Sequence, residues 1–87
     1  MGKRRYPPLK HREVVEIVTA LNFTKVRQES THAQYERAAD GTRRRAVVTV
    51  DDYPDFDETM IKKMITQSTF TREQFYSATK NTAKKIR

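Results

Sequence analysis

The stretch His32-Ala33-Gln34-Tyr35-Glu36-Arg37-Ala38-Ala39-Asp40-Gly41-Thr42-Arg43-Arg44-Arg45-Ala46-Val47-Val48-Thr49-Val50 decides the fold. Over residues 32–38, Ala33 and Tyr35 take alternate positions among polar neighbours, the pattern of a half-buried strand. Asp40-Gly41 follows. Both residues accept positive φ at low cost, so the pair marks a hairpin. Residues 44–50 are rich in β-branched side chains and predict the returning strand, with Ala46, Val48 and Val50 turned to the same core. Upstream, Ser30-Thr31 supplies another turn, and the alternation from Phe23 through Val26 predicts a further strand. The expected sheet is a three-stranded antiparallel meander with Phe23, Val26, Ala33, Tyr35, Ala46, Val48 and Val50 in its core.

Helices flank this sheet. Val14, Ile17, Val18 and Leu21 recur at i, i+3, i+4 and i+7, predicting an amphipathic helix over residues 10–21, with Asn22 suited to its left-handed stop. Beyond the sheet, residues 51–57 read as a loop around Pro54. Met60, Ile61, Met64 and Ile65 then define a second helix whose acidic start suits the helix dipole. Thr71-Arg72-Glu73-Gln74 has the form of a capping box and opens a short third helix that returns Phe75 and Tyr76 to the core. The predicted class is α+β, in the order helix, three strands, helix, short helix, with the antiparallel sheet covered by helices. Residues 1–8 read as a basic flexible arm, 9–78 as the single domain, and 79–87 as a basic tail that frays.

The chain has 87 residues, with 18 Lys+Arg against 11 Asp+Glu and a formal charge of +7. That length builds one core, not two. It contains no cysteine, which excludes disulfides, cysteine-ligated metals and a thiol nucleophile. No stretch approaches the roughly 20 apolar residues of a membrane span, and residues 1–5 lead to Tyr6-Pro7-Pro8 rather than to a signal-like apolar run. A cytoplasmic protein is the expectation. Residues 51–58 hold Asp51, Asp52, Asp55, Asp57 and Glu58 with no base. The remainder is therefore more basic than the net figure suggests, and a polyanion such as nucleic acid is the expected partner.

Among chemistry-bearing residues, His32 stands first. If Ala33 and Tyr35 face inward, His32 faces outward, as do Lys25 and Arg27 on the neighbouring strand. Surrounding cations disfavour an imidazolium and keep a neutral base available. Such a base takes the proton of an RNA 2′-hydroxyl, or its acid form donates to the leaving 5′-oxygen. Lys25 and Arg27 would neutralise the phosphate. Arg43-Arg44-Arg45, on the hairpin rim, and Lys3-Arg4-Arg5-Tyr6, in the arm, suit phosphate contacts. His11 and His32 match no metal-ligand spacing, the acids of residues 51–58 lack a calcium-loop rhythm, and neither a serine-hydrolase elbow nor a glycine-rich phosphate loop occurs. No cofactor or metal is expected.

Pro7-Pro8-Leu9-Lys10, Leu21-Asn22-Phe23, Val26-Arg27-Gln28, His32 with Tyr35, Val50 with Pro54, then Phe56, Ile61, Met64, Ile65, Gln67 and Phe70-Thr71-Arg72-Glu73-Gln74-Phe75 together resemble HicA-type toxins, mRNA interferases of bacterial and phage toxin–antitoxin pairs. The resemblance spans about residues 7–76. It implies a double-stranded-RNA-binding-domain-like fold, mRNA cleavage by a histidine that corresponds to His32, and neutralisation by a HicB-like antitoxin. The basic residues expected to contact the RNA, read from charge and strand facing, are Lys10, Lys25, Arg27, Arg43, Arg44 and Arg45. The chain departs from the family at four places. Ser30-Thr31 replaces Gly-Ser before the histidine, and Ala33 replaces a second histidine. Tyr53 replaces a histidine before the loop proline, and Asp57-Glu58-Thr59 replaces Lys-Pro-Gly. A second acid–base group would have to come from His11, Tyr53 or a lysine. Two other readings share the sequence: a non-catalytic RNA-binding module, and an interaction protein that docks a basic partner on residues 51–58.

Overall fold

A computed structural model describes residues 5–38 and 45–86. It is an α+β fold in the order β1 (Leu9–Lys10), α1 (His11–Ala20), β2 (Thr24–Glu29), β3 (His32–Ala38), β4 (Arg45–Asp51), β5 (Asp55–Phe56), α2 (Glu58–Ser68), α3 (Arg72–Tyr76) and α4 (Lys80–Ala83), closed by a 3-10 turn at Lys84–Ile86. β2, β3 and β4 form the antiparallel meander, and β1 pairs with β5 in a separate two-stranded ribbon. Asp40-Gly41 lies outside the described residues. Strand pairing on either side is continuous from Ala38 opposite Arg45 to His32 opposite Asp51.

The core follows the predicted stripes. Val14, Ile17 and Val18 of α1 meet Ala33, Tyr35, Val48 and Val50 of the sheet and Ile61, Met64 and Ile65 of α2, with Phe23, Phe75 and Tyr76 beside them. Leu21, Ala46 and Met60 pack at its margin. Asn22 takes φ 71 after α1, as its side chain permits. The capping box of α3 forms as expected: Thr71 accepts from the Gln74 N–H at 3.1 Å, and Gln74 accepts from the Thr71 N–H at 2.9 Å.

Three expectations about the elements need correction. Val26 is not in the core; it is 51% exposed, because the β2–β3 register shifts between Lys25 and Arg27, and such a bulge turns a residue away from its alternating face. The first helix starts at His11, since Lys10 belongs to β1. Residues 51–57 are not all loop: Asp51 ends β4, and β5 pairs Phe56 with Leu9, burying these side chains to 2% and 1% exposure.

The described residues nearest both ends are also tied down. Tyr6 packs against the core, its ring facing the cations of Arg5, Lys62 and Arg72. The Tyr76 hydroxyl donates to the Pro7 carbonyl at 2.7 Å. Residues 79–86 do not fray but form α4 and its 3-10 turn. Thr82 is fully buried, donating to the Tyr76 carbonyl at 2.6 Å. No helix among the described residues is long and apolar enough to cross a membrane.

Candidate nucleic-acid site

His32 opens β3 immediately after the Ser30-Thr31 turn, where Ser30 takes φ 51. Left-handed backbone of this kind is easiest for glycine and costs other residues about 1 kcal/mol. The turn is tied to the end of β4 by the Asp52 N–H, which donates to the Thr31 carbonyl at 2.8 Å. Antiparallel pairing then sets Asp51 directly opposite His32, and the Asp51 carboxylate meets the imidazole at Nδ1. The His32 side chain remains 58% exposed. One ring nitrogen is thus held while more than half of the side chain stays open to solvent.

The expected ring of cations around His32 is not what the fold builds. Its nearest partner is an acid. Arg27 shares the outer face, one pair along at Gln34, but its guanidinium meets Glu29 at 3.3 Å. Lys25 stands opposite Tyr35, across the bulge. Arg45 pairs with Ala38 and meets Glu36 at 3.1 Å. Six residues of strand, about 20 Å, separate it from His32. Lys10 is exposed on β1 opposite Asp55. Arg43 and Arg44, like Lys3 and Arg4 of the arm, lie outside the described residues. Among the described residues, the predicted cations therefore do not converge on His32.

What does converge is a groove of about 290 Å³ between the β4 edge and α2, lined by His32, Thr49, Asp51, Phe56, Met60, Lys63, Met64 and Gln67. Met60, Lys63, Met64 and Gln67 follow i, i+3, i+4, i+7 spacing, so one stripe of α2 faces the strand. The helix is anchored there because Gln67 Oε1 accepts the Thr49 backbone N–H at 3.1 Å, satisfying a donor that the sheet edge would otherwise leave open. Phe56 and Met64 form an apolar floor, and Lys63 is the lysine among the described lining residues. Sequence reasoning assigned no role there to Asp51, Lys63 or Gln67. The available signal was the α2 stripe, in which two polar residues interrupt two methionines.

The other proposed acid–base groups sit around the floor. His11 stacks on Phe56 with ring centroids 6.1 Å apart, and Tyr53, half exposed, meets Phe56 edge-on at 6.4 Å. Neither lines the groove. Among the described residues no group of three or more His, Asp or Glu side chains is placed to hold a metal ion. Compared with protein-family models, curated proteins and solved structures, the chain matches none.

Proposed function

We propose that the protein is a metal-independent endoribonuclease that cuts mRNA at the His32 groove and serves as the toxin of a toxin–antitoxin pair neutralised by a HicB-like protein. The observation that carries this reading is the Asp51–His32 pair at the mouth of a groove holding Lys63. Asp51 fixes the neutral ring with its proton on Nδ1, leaving the Nε2 lone pair as the base. The 2′-hydroxyl gives its proton to Nε2 as its oxygen attacks the adjacent phosphorus. The 5′-oxygen leaves with a proton from solvent, producing a 2′,3′-cyclic phosphate and a 5′-hydroxyl end. Proton transfer of this kind contributes about 10²–10⁴-fold, and Lys63 stabilises charge on the phosphate oxygens. The net charge of +7 favours long-range capture of RNA. The strand order and flanking helices are compatible with a double-stranded-RNA-binding-domain-like arrangement, and a toxin acting on mRNA would work in the cytoplasm.

The test is incubation of purified protein with labelled RNA in excess chelator, with wild type and His32→Ala in parallel. Fragments from wild type alone, ending in cyclic phosphate, are the expected result. A salt-sensitive mobility shift without fragments would establish the non-catalytic RNA-binding module instead. Cleavage that stops with chelator, or persists in His32→Ala, would overturn the mechanism.

A further inference from the structure

We propose that the groove between β4 and α2 seats a guanine base of the RNA, with Gln67 as the residue that reads it. This inference rests on the function proposed above and adds the base that adjoins the cleaved phosphate. The groove is lined by the apolar side chains Phe56, Met60 and Met64; Phe56 and Met64 belong to the buried core, and the partly buried Met60 offers a polarisable thioether of the kind that packs against an aromatic base. Its volume of about 290 Å³ lies at the low end for small-molecule sites, suited to one base rather than two.

Gln67 supplies the polar edge, and its orientation is not free. The Thr49 backbone N–H can only donate, so the amide oxygen must face it at 3.1 Å, and the Nε2 amino group is the part left to meet a ligand. An amide with both ends free pairs with adenine through N6 and N7. One whose oxygen is already engaged offers donors alone and opposes the adenine and cytosine amino groups. Guanine presents two neighbouring acceptors, O6 and N7, with no donor between them. In single-stranded RNA that edge is accessible to a side chain.

Binding by His32→Ala protein separates this inference from the cleavage reaction. Four fluorescein-labelled RNA pentamers, uridine throughout except for a central G, A, C or U, are titrated by anisotropy. The expected result is about tenfold tighter binding of the G pentamer than the A pentamer, the scale of one good base-edge contact. Gln67→Glu in the same background keeps an acceptor for Thr49 but removes the donors, so the preference is expected to shift toward A or C with the thermal transition retained. Equal affinity for all four pentamers, absence of binding, or a G preference unchanged by Gln67→Glu would each overturn the assignment. A G preference in a protein whose wild type leaves RNA intact would sink the nuclease reading and leave the base site standing. Cleavage with no base preference would do the reverse.

Discussion

Asp51 and His32 occupy opposing positions on β4 and β3, and the carboxylate holds the imidazole through Nδ1 on the outer face of the sheet. Three local features produce this relationship. The Ser30-Thr31 turn starts β3 at His32. The Asp52–Thr31 backbone hydrogen bond ties that turn to the end of β4. The strand pairing keeps side chains at opposing positions on one face. An acidic residue thereby orients the imidazole from behind, at a position where composition alone would have predicted cations.

Asp51→Asn tests the orienting role. The amide keeps the size of the side chain, but its amino group can turn to Nδ1 and favour the wrong tautomer, with the proton on Nε2. RNA cleavage is expected to fall about 10²-fold, within the range spanned by general-base catalysis. Circular dichroism and the thermal midpoint should stay near wild type, because the pair lies at the solvent boundary and Asn keeps the size of the side chain. A rate within threefold of wild type, measured on the same labelled RNA, would remove Asp51 from the mechanism.

The acidic run of residues 51–58 has an intramolecular explanation. Asp51 holds His32, Asp55 stands opposite Lys10, and Glu58 meets Lys62 at 3.0 Å. Asp57 caps α2, its Oδ1 accepting the Met60 N–H at 3.0 Å. Asp57→Ala is expected to cost about 1 kcal/mol through the lost cap, a fall of about 4–8 °C in Tm for a domain this size. Asp52→Ala, which leaves the backbone bond to Thr31 intact, should change stability by less than about 0.5 kcal/mol. Equal effects in thermal melts would refute this division of roles.

Helix stripes and strand alternation were legible because burial enforces a period, and α1, β3, β4 and α2 carry theirs over several turns or pairs. Val26 broke the rule because a bulge costs nothing visible in the sequence yet reverses which face a residue takes. Leu9 and Phe56 were missed because a two-residue strand has no period to detect. The register of β3 and β4 mattered most for the site. A two-residue turn centred on Asp40-Gly41 would set Thr49 opposite His32, whereas the observed pairing sets Asp51 there. Both registers keep the same residues inward, so hydrophobic pattern alone does not choose between them. His32 was legible from its place beside a turn; its partner depended on that choice.

The C-terminal segment is expected to behave as part of the domain. Thr82 is buried and its hydroxyl donates to the Tyr76 carbonyl, while Ala83 closes the surface beside it. Thr82→Val retains the shape but leaves that carbonyl without this donor, at a cost of about 1–3 kcal/mol. Removing residues 79–87 should lower the thermal midpoint further than Thr82→Val. A truncated chain melting at the wild-type temperature would show that the segment contributes no stability.

Tyr76 gives the fold an alkaline limit. Burial raises its phenol well above the ordinary value of 10.0, with the nearby Arg72 only partly opposing that effect. The folded chain therefore holds the Tyr76 proton at pH values where the unfolded chain has released it. Stability depends on pH through the difference in bound protons. Below about pH 10 both states carry the proton and the term is flat. Above it the unfolded state binds fewer, so unfolding becomes easier by up to about 1.4 kcal/mol per pH unit until the folded phenol also titrates. Tyr76→Phe removes this dependence together with the hydrogen bond to the Pro7 carbonyl. It is expected to be about 1 kcal/mol less stable at neutral pH, with a shallower loss between pH 10 and 12. Urea melts at pH 7, 10 and 11.5 measure both slopes. Parallel slopes in the two proteins would mean that the phenol titrates alike in folded and unfolded chains.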